Sequence, residues 1–460
     1  MDNLIGGEKR KSADKKVVDI INPVNNKKID TVPYSTYKDI NYIINMLDNS
    51  TEKWREMTIE ERIVGIIEFK ELVEKNKDDL ANLLSSESGQ CIKETKMEIA
   101  KISNYVNNYI KLSKDKYHVH KYDLVDNVTI YEPLGIVAVI IPYNYAIDFF
   151  CQKVLSAILM GNVVIVKPSI YNPLTIHRLC ELLCETIIPK KIVNCISGSN
   201  PLIIKELSNH PDISLVVKAG PDTIEQDGYN MSVIKNINIY GNNCLIATND
   251  CDLDLVSNKI IENRLYNAGQ SCMAINRFFV DEEIKEELIN VLISKISKIQ
   301  VGMPLKKSTD IGCLYNIYES AKLHKKIRHL VLEGAHIVIG GRRKNSFFEP
   351  TIMDNISPKM DIMHDYILEG PIIPLYTFKS IDEVISLVNE SKITPYCSIF
   401  ANDKNTFKNC ILNIKSNNII INDVFKEKLS QDINDYEYIS ENLGKELELM
   451  SKIKKVIVQK

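Results

Sequence analysis

The residue with the clearest capacity for covalent chemistry is Cys272, which lies in a polar loop just before an apolar run. The loop reads Ala268-Gly269-Gln270-Ser271-Cys272, and the run that follows, Asn276–Val280, is typical of a strand. A thiol at the tip of a loop is exposed enough to attack a substrate, whereas a thiol inside the strand is packed away. A single cysteine is more often a small core residue, so the surrounding sequence must decide between the two roles.

Two further polar residues follow apolar runs in the first half of the chain. Asn144 comes shortly after Ile136–Ile141, and Lys167 ends the run Asn162–Lys167. An asparagine in a turn usually bonds to its own backbone, and an isolated lysine is usually solvated. Taken alone, these two residues leave both a structural and a chemical role open.

The elements that must position these residues are short apolar strands alternating with helices. Continuous β-branched runs are typical of strands buried on both faces. Their alternation with helices predicts parallel βαβ units in a doubly wound sheet, which binds ligands at the carboxyl ends of its strands. The predicted strands are Ile136–Ile141, Asn162–Lys167, Ile192–Ser197 and Ile213–Val217, and the predicted helices are Phe149–Leu159, Leu174–Ile187 and Pro201–Ser208.

A second alternating set begins near Cys244 and predicts a second α/β domain that carries Cys272. The long amphipathic helices predicted over Ile59–Asn76 and Glu94–Lys114 would cover the first sheet rather than take part in chemistry. The C-terminal run Ile453–Lys460 is typical of an edge strand, which invites pairing with another subunit. The second set comprises strands at Asn276–Val280, His336–Ile339, Pro371–Phe378, Cys397–Phe400 and Ile419–Asn422, and a helix at Glu283–Ile299.

Composition limits the classes to which the chain can belong. A length of 460 residues predicts two large domains. A net charge of −3 does not indicate a basic surface that binds nucleic acid or an anionic membrane. No apolar run is long enough to span a bilayer. Eleven cysteines scattered without paired spacing favour a reducing, cytoplasmic location over a disulfide framework. Cys180 and Cys184 are interpreted as core residues, and no metal site is expected.

An ordered series of motifs over roughly residues 20 to 423 resembles the aldehyde dehydrogenase superfamily. The loop of Cys272 matches the active-site segment of that family, and Val163–Lys167 with the turn after it matches the cofactor-binding strand. A single motif could be accidental, whereas a series in the family's order is specific. The other matching motifs are Glu132–Val137, Ile141–Tyr145, Gly161–Ser169, Pro173–Thr175, Val301–Pro304, Gly334-Ala335, Gly340-Gly341 and Phe348–Thr351.

The resemblance implies an α/β fold with a Rossmann-like cofactor domain, a second α/β catalytic domain and small oligomerisation strands. The cofactor domain would comprise residues 1–117 and 134–242, and the catalytic domain residues 243–423. Residues 118–133 and 424–460 would form the oligomerisation segment of a homodimer or homotetramer. The cofactor would be NAD or NADP, and the partner a small aldehyde.

The resemblance also implies roles for individual residues. Cys272 would add to the aldehyde carbon as a thiolate, and the Asn144 side chain with the Cys272 backbone N–H would stabilise the resulting oxyanion. Lys167 would bond to the adenosine ribose, and Lys153 would support the site. The other residues expected at the cofactor are Pro142, Tyr143, Ser169, Lys218 and Gly220.

Several positions depart from the family pattern near the active site. Asn238 replaces the general-base glutamate, and an amide accepts no proton near neutral pH. Ile170 stands where many relatives have a ribose-binding glutamate, and Val217–Gly220 replaces the turn at the pyrophosphate. Glu369 is displaced by two positions from the family's nicotinamide-ribose glutamate, and Asp432–Asn442 replaces a glycine-rich stretch.

Three interpretations remain open from these residues. The first is a divergent NAD(P)-dependent aldehyde dehydrogenase, with oxidation of lactaldehyde to lactate best supported. The chain resembles most the archaeal lactaldehyde dehydrogenases, which are related to non-phosphorylating glyceraldehyde-3-phosphate dehydrogenases, and this resemblance implies a role in coenzyme biosynthesis in methanogens. The second is a coenzyme-A-acylating enzyme, which needs no base because a thiol resolves the thioester. The third is a catalytically impaired relative that binds ligands or forms oligomers.

Overall fold

The computed structural model describes residues 1–115, 128–219, 228–237, 241–363, 368–425 and 436–457. The predicted α/β architecture with two parallel-sheet domains is confirmed. Within the described ranges, no helix is long and apolar enough to cross a membrane.

The first domain is built on a seven-stranded sheet with the order β10-β9-β6-β7-β8-β1-β2. Its strands are β1 (Asn3–Ile5), β2 (Glu8–Arg10), β6 (Ile136–Ile140), β7 (Val163–Lys167), β8 (Val193–Cys195), β9 (Ile213–Ala219) and β10 (Ile234–Ile237); β3 (Val17–Ile21) and β4 (Lys28–Pro33) form a separate hairpin. All five residues of β6 and of β7 are buried, as expected for central parallel strands covered on both faces. The short β1 pairs antiparallel with β8. The three residues of β1 gave no sequence signal for this additional strand.

Helices cover both faces of this sheet and enclose one large apolar core. They are α1 (Tyr37–Asn45), α2 (Asn49–Glu56), α3 (Ile59–Lys75), α4 (Lys77–Ser88), α5 (Ile92–Asp115), α6 (Ala146–Phe149), α7 (Ser156–Leu159), α8 (Pro173–Cys184) and α9 (Asn200–Asn209); a π-helical segment, Phe150–Leu155, joins α6 to α7. The chain's single tryptophan, Trp54, is buried in this core, and its indole N–H donates to the Ile158 carbonyl at 3.2 Å.

The second domain has a seven-stranded sheet with the order β13-β16-β17-β12-β11-β18-β19. Its strands are β11 (Cys244–Ala247), β12 (Arg277–Asp281), β13 (His336–Ile339), β16 (Thr351–Asp354), β17 (Ile372–Phe378), β18 (Tyr396–Phe400) and β19 (Asn418–Ile421), with a small hairpin of β14 (Arg343–Lys344) and β15 (Phe347–Phe348). Its helices are α10 (Leu253–Arg264), α11 (Lys285–Ile296), α12 (Ile317–Leu332), α13 (Ile381–Glu390) and α14 (Lys404–Asn413). The predicted boundary at residues 242 and 243 falls between β10 and β11.

The C-terminal segment returns to the first domain. Helix α15 (Tyr436–Leu449) buries Leu443 and Leu447 in the first core, and β20 (Ser451–Val456) pairs antiparallel with β5 (Val128–Pro133) over six residues. The terminal strand predicted for partner pairing thus has one neighbour within its own chain. All eleven cysteines lie in the described ranges, and none forms a disulfide. Of the two cysteines interpreted as core residues, Cys180 is fully buried and Cys184 is partly buried against the first core.

Candidate active site

The loop that carries Cys272 has an unusual backbone. Three consecutive residues before it, Asn267, Ala268 and Gly269, have positive φ angles of 48°, 53° and 73°. A Cβ atom at Gly269 would lie 2.0 Å from the carbonyl oxygen of Gly370, so no larger residue fits there. The Gly370 N–H donates to the Gly269 carbonyl at 3.1 Å, which fixes the loop against the segment that leads into β17.

A buried arginine holds that segment in place. The Arg264 guanidinium donates to the carbonyls of Ile372 at 2.6 Å and Leu368 at 2.5 Å, and to the Asn276 side chain at 2.9 Å. Burial lowers the pKa of Arg264 to about 9, while the nearby Glu369 carboxylate opposes that shift. Since each of its three nitrogens donates to an acceptor beside the Cys272 loop, the Arg264 guanidinium positions that loop.

Three hydrogen bonds connect the Cys272 loop to the first domain and to the loop before α12. The Asn144 amide donates to the Gln270 carbonyl at 2.8 Å, and the Glu94 carboxylate accepts the Asn267 N–H at 3.1 Å. The Gln270 side chain accepts the Tyr315 N–H at 2.9 Å. The structure therefore bonds Asn144 to a residue two positions before Cys272, although 128 positions separate Asn144 from Cys272 in the sequence.

The burial of Cys272 differs from the sequence prediction. The expectation of an exposed thiol at a loop tip was wrong, because Cys272 is only 5% exposed and Asn144 only 8%. The loop lies between the two domains, where Glu94 accepts the Asn267 N–H and Asn144 donates to the Gln270 carbonyl, so these backbone groups need no water. Little of this cysteine is therefore accessible from the protein surface.

Two lysines expected at the cofactor lie at the carboxyl edge of the first sheet. Lys167 ends β7 and Lys218 lies near the end of β9, and both pair in register with Ile140 of the strand between them. Residues in one register of a parallel sheet share a face, so the two side chains point the same way, about 10 Å apart. Lys218 donates to the Asn236 side chain at 2.9 Å.

The side chains at this edge are more buried than those of an open nucleotide-binding crevice. Lys167 is fully buried, and burial lowers its pKa to about 7. Ser169 is also buried, and its hydroxyl accepts the Tyr171 N–H at 3.3 Å. Gly220 and Asn238, both predicted to be site residues, lie outside the described residues.

A cluster of tyrosines adjoins the cofactor edge. The rings of Tyr143 and Tyr315 have centroids 4.2 Å apart, and Tyr171 lies 4.6 Å from Tyr315. The Tyr143 hydroxyl donates to the Glu369 carboxylate at 3.1 Å, and burial raises the pKa of this carboxylate. Pro142, before Tyr143, is partly buried. Tyr143 and Tyr171 follow β6 and β7, whereas Tyr315 and Glu369 belong to the second domain, so sequence spacing gave no signal for the cluster.

A pocket beside Asn144 was also missed by sequence reasoning. Its lining includes Asn144, Gln270, Tyr266, Asp148 and Glu98. Helix α5, expected only to cover the sheet, thus supplies a pocket carboxylate. A signal was present in the spacing of Glu98 and the lysine three residues later, but their partner at position 148 lies on a different helix.

Lys153, expected to support the site, lies in the π-helical segment and forms an ion pair with Glu446 of α15. Burial lowers the pKa of Lys153 against the opposing effect of that carboxylate. Among the described residues, no group of three or more His, Cys, Asp or Glu side chains could hold a metal ion.

The donor chemistry of the cofactor edge fits an anionic dinucleotide. Two ammonium groups share one face, and the low pKa of Lys167 reflects a buried position where a bound anion would favour the charged form. The Asn172 side-chain oxygen is buried without a hydrogen bond, while its amide donates to the Tyr143 carbonyl at 2.7 Å. This arrangement offers an acceptor for a ligand hydroxyl near the tyrosine cluster.

Comparison with known proteins agrees with this architecture. A sequence model of the aldehyde dehydrogenase family matches residues 9–433. Mitochondrial succinate-semialdehyde dehydrogenase of Oryza sativa subsp. japonica is 27% identical over 398 residues, covering 84% of this chain and 75% of that protein. Lactaldehyde dehydrogenase of Methanococcus maripaludis is 25% identical over 421 residues, covering 88% of each chain.

Solved structures share the fold. Betaine aldehyde dehydrogenase of Staphylococcus aureus in complex with NAD+ is 25% identical, with a TM-score of 0.85 and coverage of 99% of this chain and 94% of that one. Glyceraldehyde-3-phosphate dehydrogenase GapN of Methanocaldococcus jannaschii, complexed with NADP, is 23% identical, with a TM-score of 0.85 and coverage of 96% and 99%. The resemblance drawn from the motifs is confirmed.

Proposed function

Because the chain belongs to the aldehyde dehydrogenase family, we propose that it oxidises a small aldehyde to its carboxylic acid with NAD or NADP. The observation that carries the proposal is the hydrogen bond from the Asn144 amide to the Gln270 carbonyl, which joins the predicted oxyanion donor to the loop of the predicted nucleophile. Two bonded elements from different domains form the kind of fixed arrangement that acyl chemistry needs.

The protein's own residues account for the first step. The Cys272 thiolate adds to the electrophilic aldehyde carbon and forms a thiohemiacetal, whose oxygen takes up the negative charge. One N–H of the Asn144 amide is fixed by Gln270, which sets the plane of the amide. Its second N–H and the Cys272 backbone N–H then donate to the oxyanion. Such a donor contributes about 3–4 kcal/mol to transition-state stabilisation.

Bound NAD or NADP would accept the hydride and leave a thioester on Cys272. Lys167, Lys218 and Ser169 would hold the nucleotide at the carboxyl edge of the first sheet, with Pro142 and Tyr143 beside it. The register of β7 and β9 supports this assignment, since it places both ammonium groups on one face.

Hydrolysis of the thioester should be slow. Asn238 stands where the family has its general base, and general-base help is worth about 10²–10⁴ in rate. The coenzyme-A-acylating alternative follows from the same substitution, because a thiol resolves a thioester without that base. The impaired alternative draws support from the altered cofactor contacts at Ile170 and Glu369.

Lactaldehyde is the proposed substrate, and lactate the product. The likeness to lactaldehyde dehydrogenase of Methanococcus maripaludis supports it, although relatives of similar identity carry other substrate names. A place in coenzyme biosynthesis depends on this substrate. A homodimer or homotetramer is proposed as the assembly, with β5 and β20 as the oligomerisation strands.

Absorbance at the reduced-nicotinamide band, measured for several small aldehydes with NAD and with NADP, tests the proposal. We expect lactaldehyde-dependent reduction that Cys272→Ala abolishes, while Cys251→Ala, a partly buried cysteine in another loop, retains it. Reduction that appears only after coenzyme A is added would select the acylating alternative. No reduction with any aldehyde and either cofactor would favour the impaired one.

A further inference from the structure

Helix α5 presents three charged side chains that the proposed reaction does not use. Glu94, Glu98 and Lys101 follow the i, i+4, i+7 spacing, which places them on one face of the helix. All three residues are buried. Because buried charges are unfavourable unless they find partners, the partners of this face indicate what it holds in place.

The two acids hold two consecutive residues at the start of the Cys272 loop. The Glu98 carboxylate accepts the Tyr266 hydroxyl, and the Glu94 carboxylate accepts the Asn267 N–H at 3.1 Å. Both bonds connect the first domain to the second. Because Glu94 and Glu98 lie one helical turn apart, they fix the direction of this short segment as well as its position.

The bonded segment leads directly into a strained stretch of backbone. Asn267 and Ala268 have positive φ angles of 48° and 53°, a conformation that is unfavourable for residues other than glycine. Both backbone groups of Asn267 are held, since Glu94 accepts its N–H and its carbonyl accepts the Gln270 side-chain amide at 2.9 Å. Without the bond to Glu94, these residues would relax towards negative φ, and the chain that carries Cys272 would turn with them.

The same face of α5 also holds the element that follows the predicted oxyanion donor. The Lys101 ammonium donates to the Glu98 carboxylate and to the Asp148 carboxylate, at 2.9 Å in each case. Asp148 lies in α6, four positions after Asn144. Glu98 is therefore connected to the Cys272 loop on one side and, through Lys101, to the segment of Asn144 on the other.

We propose that Glu94 and Glu98 are positioning residues, which keep Cys272 in place relative to Asn144 by holding both segments on one helix face. The proposal rests on the proposed function and deepens it, since the two acids act through the loop and not on the substrate. Burial raises the pKa of Glu94 to about 8 and also raises that of Glu98, while the loop donors oppose both shifts. The same bonds that fix the loop thus make the buried carboxylates less unfavourable.

Alkylation of individual cysteines in the full-length protein tests the proposal without any need for turnover. The protein is treated with iodoacetamide, and mass spectrometry of its peptides measures the rate of modification at each cysteine. We expect Glu94→Ala to raise the rate at Cys272 about tenfold, because release of the loop exposes the thiol. Cys195 and Cys244, which are buried in the two sheets, should stay protected, and this distinguishes local release from unfolding.

Turnover should change in the opposite direction. We expect Glu94→Ala to lower kcat for aldehyde oxidation about tenfold, while cofactor KM stays within about twofold of the native value. Glu94→Gln keeps an oxygen that accepts the Asn267 N–H, so it should restore both kcat and the slow alkylation of Cys272. Glu71→Ala, which removes an exposed acid on α3, is the matched control and should change neither quantity.

Tyr266→Phe tests Glu98 with a smaller change. The variant removes the hydroxyl that donates to Glu98, keeps the ring and leaves Glu98 bonded to Lys101. We expect alkylation of Cys272 to rise about threefold. If Glu94→Ala does not fold, this variant decides, and an unchanged rate at Cys272 would overturn the proposal.

Two further results would also overturn it. One is an unchanged rate at Cys272 in folded Glu94→Ala, and the other is an equal rise at Cys195 and Cys244, which would indicate a loss of global stability instead. Absence of aldehyde turnover in the native protein would count against the proposed function alone, because the alkylation rates do not depend on turnover.

Discussion

The Cys272 loop and the carboxyl edge of the first sheet hold their predicted site residues by different means. The loop is held by hydrogen bonds to elements far away in the chain, since the Asn144 amide donates to the Gln270 carbonyl and the Glu94 carboxylate accepts the Asn267 N–H. At the edge, strand register places Lys167 and Lys218 on one face, and Lys218 also donates to the Asn236 side chain. The loop is therefore a product of tertiary structure, whereas the edge follows from the local pattern of each strand.

This difference teaches where substitutions should act. A loop fixed by several bonds loses its geometry when one member changes, and such losses are large and non-additive. At the edge each lysine has its own contacts, so a substitution there removes one contact at a time. Substitutions in the loop should therefore reduce turnover or stability strongly, and those at the edge should change cofactor affinity moderately.

The largest effect is expected for Asn144→Ala. Loss of the oxyanion donor should lower kcat about 10²–10³-fold, or about 3–4 kcal/mol, with little change in cofactor KM. Steady-state kinetics with lactaldehyde measure both constants. Asn144→Asp, which keeps the shape but places a carboxylate where negative charge develops, should be at least as impaired. Near-normal kcat in either variant would remove Asn144 from the chemistry.

A smaller effect is expected for Gly269→Ala. The added Cβ would overlap the Gly370 carbonyl at 2.0 Å and impose a positive φ on a non-glycine residue. We expect the free energy of unfolding to fall by about 2–3 kcal/mol, measured by denaturant titration. The matched control is Gly341→Ala, whose φ of 80° is close to that of Gly269 but whose Cβ would meet only the Ile337 side chain, at 3.1 Å. Equal losses in the two variants would mean that backbone strain, and not the contact with Gly370, governs the loop.

The smallest effect is expected for Lys167→Met at the cofactor edge. We expect cofactor KM to rise about tenfold, equivalent to about 1.4 kcal/mol, with little change in kcat. Lys235→Met, an exposed lysine on β10, serves as the control. If both variants leave cofactor KM unchanged, the nucleotide lies elsewhere.

Proton uptake sharpens the test of Lys167. Its pKa of about 7 means that the amine is mostly neutral at pH 8, and a bound phosphate should favour the charged form. Titration calorimetry in buffers of different ionisation enthalpy should therefore detect about one proton taken up with the cofactor, lost in Lys167→Met. Because this pKa lies below the ordinary value of 10.5, the native protein should also gain stability as pH rises from 7 towards 10.5.

The same contrast between local pattern and tertiary contacts explains how much of the structure could be predicted from the sequence. The run Ile136–Ile141 predicted β6 to within one residue, because a strand buried on both faces must be apolar throughout. The motif around Cys272 identified the family, which the match to residues 9–433 confirms. The roles of the site residues stay predictions that the variants above can test.

The rest depends on contacts between distant segments. The exposure of Cys272 could not be read from its polar loop, since the bonds that hold the loop inside come from Glu94 and Asn144. The pocket beside Asn144 depends on Glu98 and Asp148, which lie on different helices and both accept hydrogen bonds from Lys101. Neither helix has a sequence pattern that predicts this contact.

The buried indole of Trp54 is an intrinsic fluorescence probe of the first domain. Because the chain has one tryptophan, packed in the first core and bonded to Ile158, its fluorescence reports the opening of that core alone. Far-ultraviolet circular dichroism, in contrast, averages over the helices and strands of both sheets. Denaturation curves from the two signals will coincide if the domains melt as one cooperative unit, and will separate if the bonds that cross the domain boundary break first.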